Sequence, residues 1–116
     1  ELRLMDGSSN PYLLQAGVMA AGLDGLNNKI DPGEPLFCNM YTDYKNYPNL
    51  ERLPNELEES LDNLEENKTL RDTFGEKVIA SYIKLKKQEL ESFDKEERFD
   101  KRSPITTWER NNTLDC

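Results

Sequence analysis

At 116 residues, with 35% hydrophobic and 33% charged side chains, the chain has room for one domain at most and little apolar material for a core of its own. A net charge of −8 argues against nucleic acid or an anionic membrane as partner, since both reward clustered Lys and Arg. With no histidine, the chain completes neither a histidine-based triad nor a histidine-rich metal site.

Glu1-Leu2-Arg3-Leu4-Met5 alternates polar and apolar, the period of a strand, so residues 1–5 are predicted as a strand with Glu1 and Arg3 on one face. Asp6-Gly7-Ser8-Ser9 is turn chemistry. Asn10-Pro11 then opens a helix, because Asn10 can accept from free N–H groups and Pro11 fits a first position that needs none. The helix is expected to run to Asn27 or Asn28, and it is apolar on nearly every side. Such a helix must be enclosed, and the polar remainder of the chain cannot enclose it alone. The 116 residues are therefore expected to be a piece of something larger, with residues 10–28 in a shared, crowded core. Gly17, Gly22 and Gly25 fit the same picture, each tolerable where backbones pack closely. The uncharged run from Gly7 to Leu23 is too short in apolar residues for a bilayer span, and no targeting segment is visible.

Asp31-Pro32-Gly33-Glu34-Pro35 is a rigid stop, and residues 36–53 are predicted as a long loop carrying Tyr41, Tyr44 and Tyr47. Pro54-Asn55 begins a further helix, with Asn55 as cap, Glu58 placed for a capping box, and Leu57, Leu61 and Leu64 as a narrow apolar stripe. Asn67 caps a short helix that ends at Gly75. A long helix follows over residues 76–99, burying Val78, Ile79, Tyr82, Ile83, Leu90 and Phe93. Ser103-Pro104 opens a last helical turn bearing Trp108. Apart from its opening strand the chain is predicted to be mainly α, with residues 55–116 as peripheral helices and tail.

Few residues offer chemistry. Cys38 and Cys116 form no metal-type pair and are expected to be reduced, which places the protein inside the cell, in the cytoplasm. Asn67-Lys68-Thr69 and Asn111-Asn112-Thr113 match the glycosylation pattern, a common accident in such a chain. Gly17, Gly22 and Gly25 form no phosphate loop, since they lie inside the apolar helix. Glu56, Glu58, Glu59, Asp62, Glu65 and Glu66 lack the glycine and alternation of a calcium loop and are expected to be a solvated face. The opening strand leaves two readings. Glu1 and Arg3 are either a surface ion pair of little energetic value, or a hard-cation ligand beside a guanidinium that grips carboxylate or phosphate through two hydrogen bonds.

Glu1-Leu2-Arg3, Asn10-Pro11-Tyr12-Leu13, Ala20-Ala21-Gly22-Leu23-Asp24-Gly25, Asn28-Lys29-Ile30 and Asp31-Pro32-Gly33-Glu34-Pro35 together resemble the C-terminal part of glutamine synthetase. Asn39-Met40-Tyr41, Leu53-Pro54, Leu70 with Gly75, and Trp108-Glu109 extend the likeness over the whole chain, loosely between 42 and 52. The resemblance implies a fold, the helical C-terminal portion of an α+β catalytic domain with one short N-terminal strand. It implies an ATP-dependent ligase that converts glutamate and ammonia to glutamine through a γ-glutamyl phosphate, with Mg2+ or Mn2+ at the phosphates. On it Glu1 is a metal ligand and Arg3 contacts the glutamate or the transferring phosphate. The rest of the site, including the nucleotide pocket, would come from sequence outside these residues or from another subunit of a homo-oligomeric ring, so the isolated segment is expected to be inactive and to hold no cofactor stably.

In some bacterial members the tyrosine corresponding to Tyr41 is adenylylated. Asn39-Met40 before it and Thr42-Asp43 after it depart from the regulated pattern, so an ordinary loop tyrosine is the favoured reading. The resemblance leaves Ile105, Trp108 and Leu114 either as a tail reaching an opposite ring or as residues folded back on the long helix. It leaves open two alternatives to ammonia ligation: a glutamate–amine ligase using methylamine or a polyamine, and a non-catalytic assembly segment. Retention of both Glu1 and Arg3 speaks against the last.

Overall fold

A computed structural model of the chain describes residues 5, 7, 9–97 and 105–113. The predicted strand at residues 1–5 lies outside the described residues except for Met5, which is in neither helix nor strand. The described residues form helices α1 (Pro11–Asn27), α2 (Met40–Asp43), α3 (Leu57–Glu66), α4 (Lys68–Phe74), α5 (Glu76–Glu97) and α6 (Thr107–Asn112), with a 3-10 turn at Tyr44–Asn46. The chain is mainly helical, as its sequence predicts.

Local chemistry sets most boundaries. Asn10 Oδ1 accepts from the N–H groups of Tyr12 and Leu13 at 3.0 and 3.1 Å, and Pro11 occupies the first turn. At the other end Ile30 N–H donates to Gly25 O at 2.9 Å and Lys29 N–H to Leu26 O at 3.3 Å. This paired closure needs a left-handed residue, usually glycine, yet Lys29 supplies it at φ 51°. Asn67 caps α4 through Leu70 N–H at 2.9 Å, and Gly75, at φ 86°, turns the chain from α4 into α5. Asn67→Ala in the full-length protein should destabilise α4 by about 1 kcal/mol. Faster amide exchange confined to α4 is the expected result.

Two expectations are corrected. Residues 36–53 are not loop throughout, because Asn39 caps α2 through Tyr41 N–H while Asn39 N–H donates to Asp43 at 3.1 Å. Asn55 does not cap α3. The cap position is Glu56, without a side-chain bond, and Asn55 N–H points at Glu59 rather than Glu58, at 3.4 Å. Glu56 keeps the extended backbone of a cap, at φ −120° and ψ 149°, so the helix starts one residue later than predicted.

The core is small. Leu61, 2% exposed, meets Ile79 and Ile83 of α5, with Leu64, Phe74 and Tyr82 packed around them. Arg71 ties three helices together: its guanidinium grips the Glu76 carboxylate at 2.7–3.1 Å and donates to Glu65 O at 2.9 Å. A second centre joins α6 to α5, where Trp108 is buried. Its indole N–H donates to Ser92 Oγ at 3.1 Å and its ring meets Phe93 edge-on at 5.6 Å. Trp108 thus folds back on the long helix; Ile105 stays exposed, and Leu114 lies outside the described residues.

Candidate functional site

The two residues singled out for chemistry, Glu1 and Arg3, lie outside the described residues. What the structure describes is the frame that follows them. Helix α1 rests on α4, and one polar tie fixes that packing: Thr69 Oγ1 donates to Asp24 Oδ1 at 3.0 Å, and Asn28 Nδ2 donates to the same oxygen at 2.9 Å. Asp24 thus links helices 45 residues apart in the chain, a role that its place inside an apolar helix did not announce. Between α1 and the α3–α5 layer lies an open cleft of about 620 Å³, lined by apolar side chains including Leu14, Val18, Leu70, Phe74 and Tyr82. Its walls carry no carboxylate, amine or thiol, so the cleft offers packing surface rather than acid–base chemistry.

The segment after α1 places Tyr41 on α2, 93% exposed, and Phe37 earlier in the same segment is equally bare. Exposure is what a modifiable tyrosine needs, and it is also what an ordinary loop tyrosine has. Nearby, the Cys38 thiol lies 3.5 Å from Met40 Sδ, and a side-chain hydrogen bond with Cys38 pushes the Tyr47 phenol above its ordinary range. Cys38 is a free thiol, and Cys116 lies outside the described residues. At Arg71 the bond to Glu76, and then its charge, hold the guanidinium further above its ordinary value, as a structural clamp should.

Among the described residues no three Cys, Asp or Glu side chains converge as a cation site, and no helix is long and apolar enough to cross a membrane. Glu58, Glu59, Asp62, Glu65 and Glu66 of α3 are all exposed, which makes them a solvated face. A lone carboxylate such as Glu1 is the right donor for a hard divalent ion, but six-fold oxygen coordination needs more ligands than one. The described residues therefore offer packing surface rather than a centre of acid–base or metal chemistry.

The family model described as "Glutamine synthetase, catalytic domain" matches residues 1–111, and the chain belongs to that family. It is 38% identical to a glutamine synthetase of Rhizobium meliloti over 115 residues, covering 99% of this chain and 25% of that protein. It is 34% identical to a glutamate–methylamine ligase of Methyloversatilis universalis over 119 residues, again covering 99% and 25%. A solved structure described as a GmaS/ADP complex superposes with a TM-score of 0.77 at 36% identity, covering 99% of this chain and 24% of that one. The chain thus spans about a quarter of the length of the curated relatives it matches.

Proposed function

We propose that the chain is the part of an ATP-dependent glutamate–ammonia ligase that contributes Glu1 and Arg3 to the active site. In this reaction a γ-carboxylate oxygen of glutamate attacks the terminal phosphorus of ATP and ADP leaves. Ammonia then attacks the acyl carbon, phosphate departs, and loss of a proton leaves glutamine. Divalent Mg2+ or Mn2+, when bound, neutralises charge on the phosphates. Glu1 donates a carboxylate oxygen to one such ion, and Arg3 offers a planar fork of N–H donors to glutamate or to the transferring phosphoryl group. The single observation that carries this reading is the family match over residues 1–111, which takes in both side chains.

The rest of the site is assigned to other sequence of the full-length protein or to a second subunit of a homo-oligomeric ring, in a cytoplasmic enzyme. Incubated with glutamate, ammonia, ATP and Mg2+, the full-length protein should release glutamine and phosphate in equal amounts, whereas residues 1–116 alone should release neither. Turnover by the segment alone would overturn the assignment of the remaining site to other polypeptide.

A second reading changes the amine. Similarity to a glutamate–methylamine ligase is nearly as strong as to the glutamine synthetases, and no described residue of this chain selects the nucleophile. Ammonia, methylamine and a polyamine offered in parallel to the full-length protein separate these, the preferred amine being the one with the highest kcat/KM. Tyr41 is an ordinary surface tyrosine of α2 in this proposal; its neighbours depart from the modified pattern while its exposure fits either role.

A further inference from the structure

Helix α1 carries one charged side chain, Asp24, and it sits in the last turn, where a carboxylate meets the negative end of the helix dipole. Among the described residues no lysine or arginine pairs with it. What the carboxylate does is hold α4. Asn28, the C-cap of the same helix, donates Nδ2–H to Asp24 Oδ1 at 2.9 Å and fixes the side chain, and Thr69 Oγ1 of α4 donates to that oxygen at 3.0 Å. Among the described residues this is the one hydrogen bond from α1 to another helix. The rest of the contact between α1 and α4 is apolar, and apolar packing is non-directional, so it sets no register by itself. The cleft beside that contact is lined by Leu14 and Gly17 of α1, by Leu70 and Phe74 of α4, and by Met5 and Ser9, which lead into α1. The spacing of α1 and α4 therefore sets where Met5 lies. Arg3 is two residues before Met5, a reach of about 7 Å of extended chain.

We infer that Asp24 is a positioning residue for the ligase reaction: through Thr69 it fixes α1 against α4, and thereby the register in which Met5 presents Arg3 to the reacting groups. The inference rests on the ligase reading for the role of Arg3, and it adds a residue that acts on the reaction only through another. Misplacing a reacting or charge-stabilising group by about 1 Å can cost about a hundredfold in rate. Losing one polar tie, with the apolar packing kept, should cost less, about tenfold.

A double-mutant cycle in the full-length protein tests this, read as kcat for phosphate release with glutamate, ATP, Mg2+ and the preferred amine. Asp24→Ala should lower kcat about tenfold in the otherwise unaltered protein and less than about twofold in an Arg3→Ala background, where nothing is left to place. Thr69→Val deletes the donor at nearly constant shape and should follow the same pattern, so the cycle stands even where Asp24→Ala fails to fold. Asp24→Asn keeps an oxygen for Thr69 and loses the charge, and it should stay within about threefold of the unaltered rate. Equal losses in the two backgrounds would mark a general loss of folded protein and overturn the inference, as would normal rates in both Asp24→Ala and Thr69→Val. An Asp24→Asn variant as slow as Asp24→Ala would overturn it too, because the charge and not the bond to Thr69 would then matter. The two claims fail separately. A slow Arg3→Ala beside a normal Asp24→Ala removes the positioning role alone, whereas a normal Arg3→Ala, or no turnover by the unaltered protein, removes the ligase assignment on which that role rests.

Discussion

Arg3→Ala in the full-length protein should lower kcat for glutamine formation by about a hundredfold or more, the scale seen when one preorganised donor to developing charge is removed. The size of the effect follows from where charge moves. Phosphoryl transfer from ATP to a carboxylate gathers negative charge on oxygens that a closed site has stripped of water, and a fixed guanidinium stabilises it most in the transition state. The loss should therefore fall on kcat more than on KM for glutamate if the fork addresses the phosphoryl group, and on KM more than on kcat if it addresses the substrate carboxylate. Arg3→Lys keeps a charge but loses the two-toothed geometry, and should recover only part of the rate. A near-normal rate in Arg3→Ala would remove this residue from the active site. Glu1→Gln should shift the requirement for Mg2+ or Mn2+ to higher concentration, because a neutral amide oxygen is a weaker donor to a hard ion.

The two opening residues could be paired by pattern but not assigned by it. A two-residue spacing on a strand puts side chains on one face. It does not say whether that face meets solvent or a phosphate. Only the string from Asn10 to Pro35 raised the second reading above the first, because a spacing of two carries no record of what the shared face meets. Tyr41 illustrates the same limit from the other side: its exposure is visible in the structure, but the enzyme that would modify it is not part of this chain.

Helix boundaries were legible where a single residue type carries the physics. Asn10 with Pro11, Asn67 and Gly75 act within four residues of themselves, so sequence is enough. The failures are equally local but depend on competition between neighbours. At α3 two neighbours compete for one cap, and it is Glu56 rather than Asn55 whose extended backbone takes it. At α6 the start is set by Thr106-x-x-Glu109 rather than by Ser103-Pro104, through a reciprocal capping box with Thr106 N–H to Glu109 at 2.6 Å and Glu109 N–H to Thr106 at 3.1 Å. Lys29 in the left-handed region could not be read in advance, since nothing in Asn28-Lys29-Ile30 has the glycine that such a closure usually takes. The thinness of the core was legible from composition, and the structure locates it: one small cluster around Leu61, with most of the large apolar residues of α1 outside it.

The contact least evident from sequence, between α6 and α5, yields the second large effect. Trp108→Ala removes a buried indole, its hydrogen bond to Ser92 and its edge-on contact with Phe93 at once. Losses of this type lie at about 3–5 kcal/mol. The lower end is expected here, because the site is near the surface and can partly collapse. In a large assembly such a loss registers as local opening rather than global unfolding, so hydrogen exchange is the right measurement. Amides around Ser92 and across α6 should exchange about a hundredfold faster in the variant, the ratio that roughly 3 kcal/mol represents. Trp108→Phe retains the aromatic packing and gives up the N–H donor, which should cost only about 1 kcal/mol. If α6 instead leaves α5 to dock on another copy, Trp108→Ala should leave exchange around Ser92 unchanged and shift the balance between subunits and assembly. The fold-back geometry demands the first outcome, because the indole cannot donate to Ser92 and cross to a neighbouring ring at the same time.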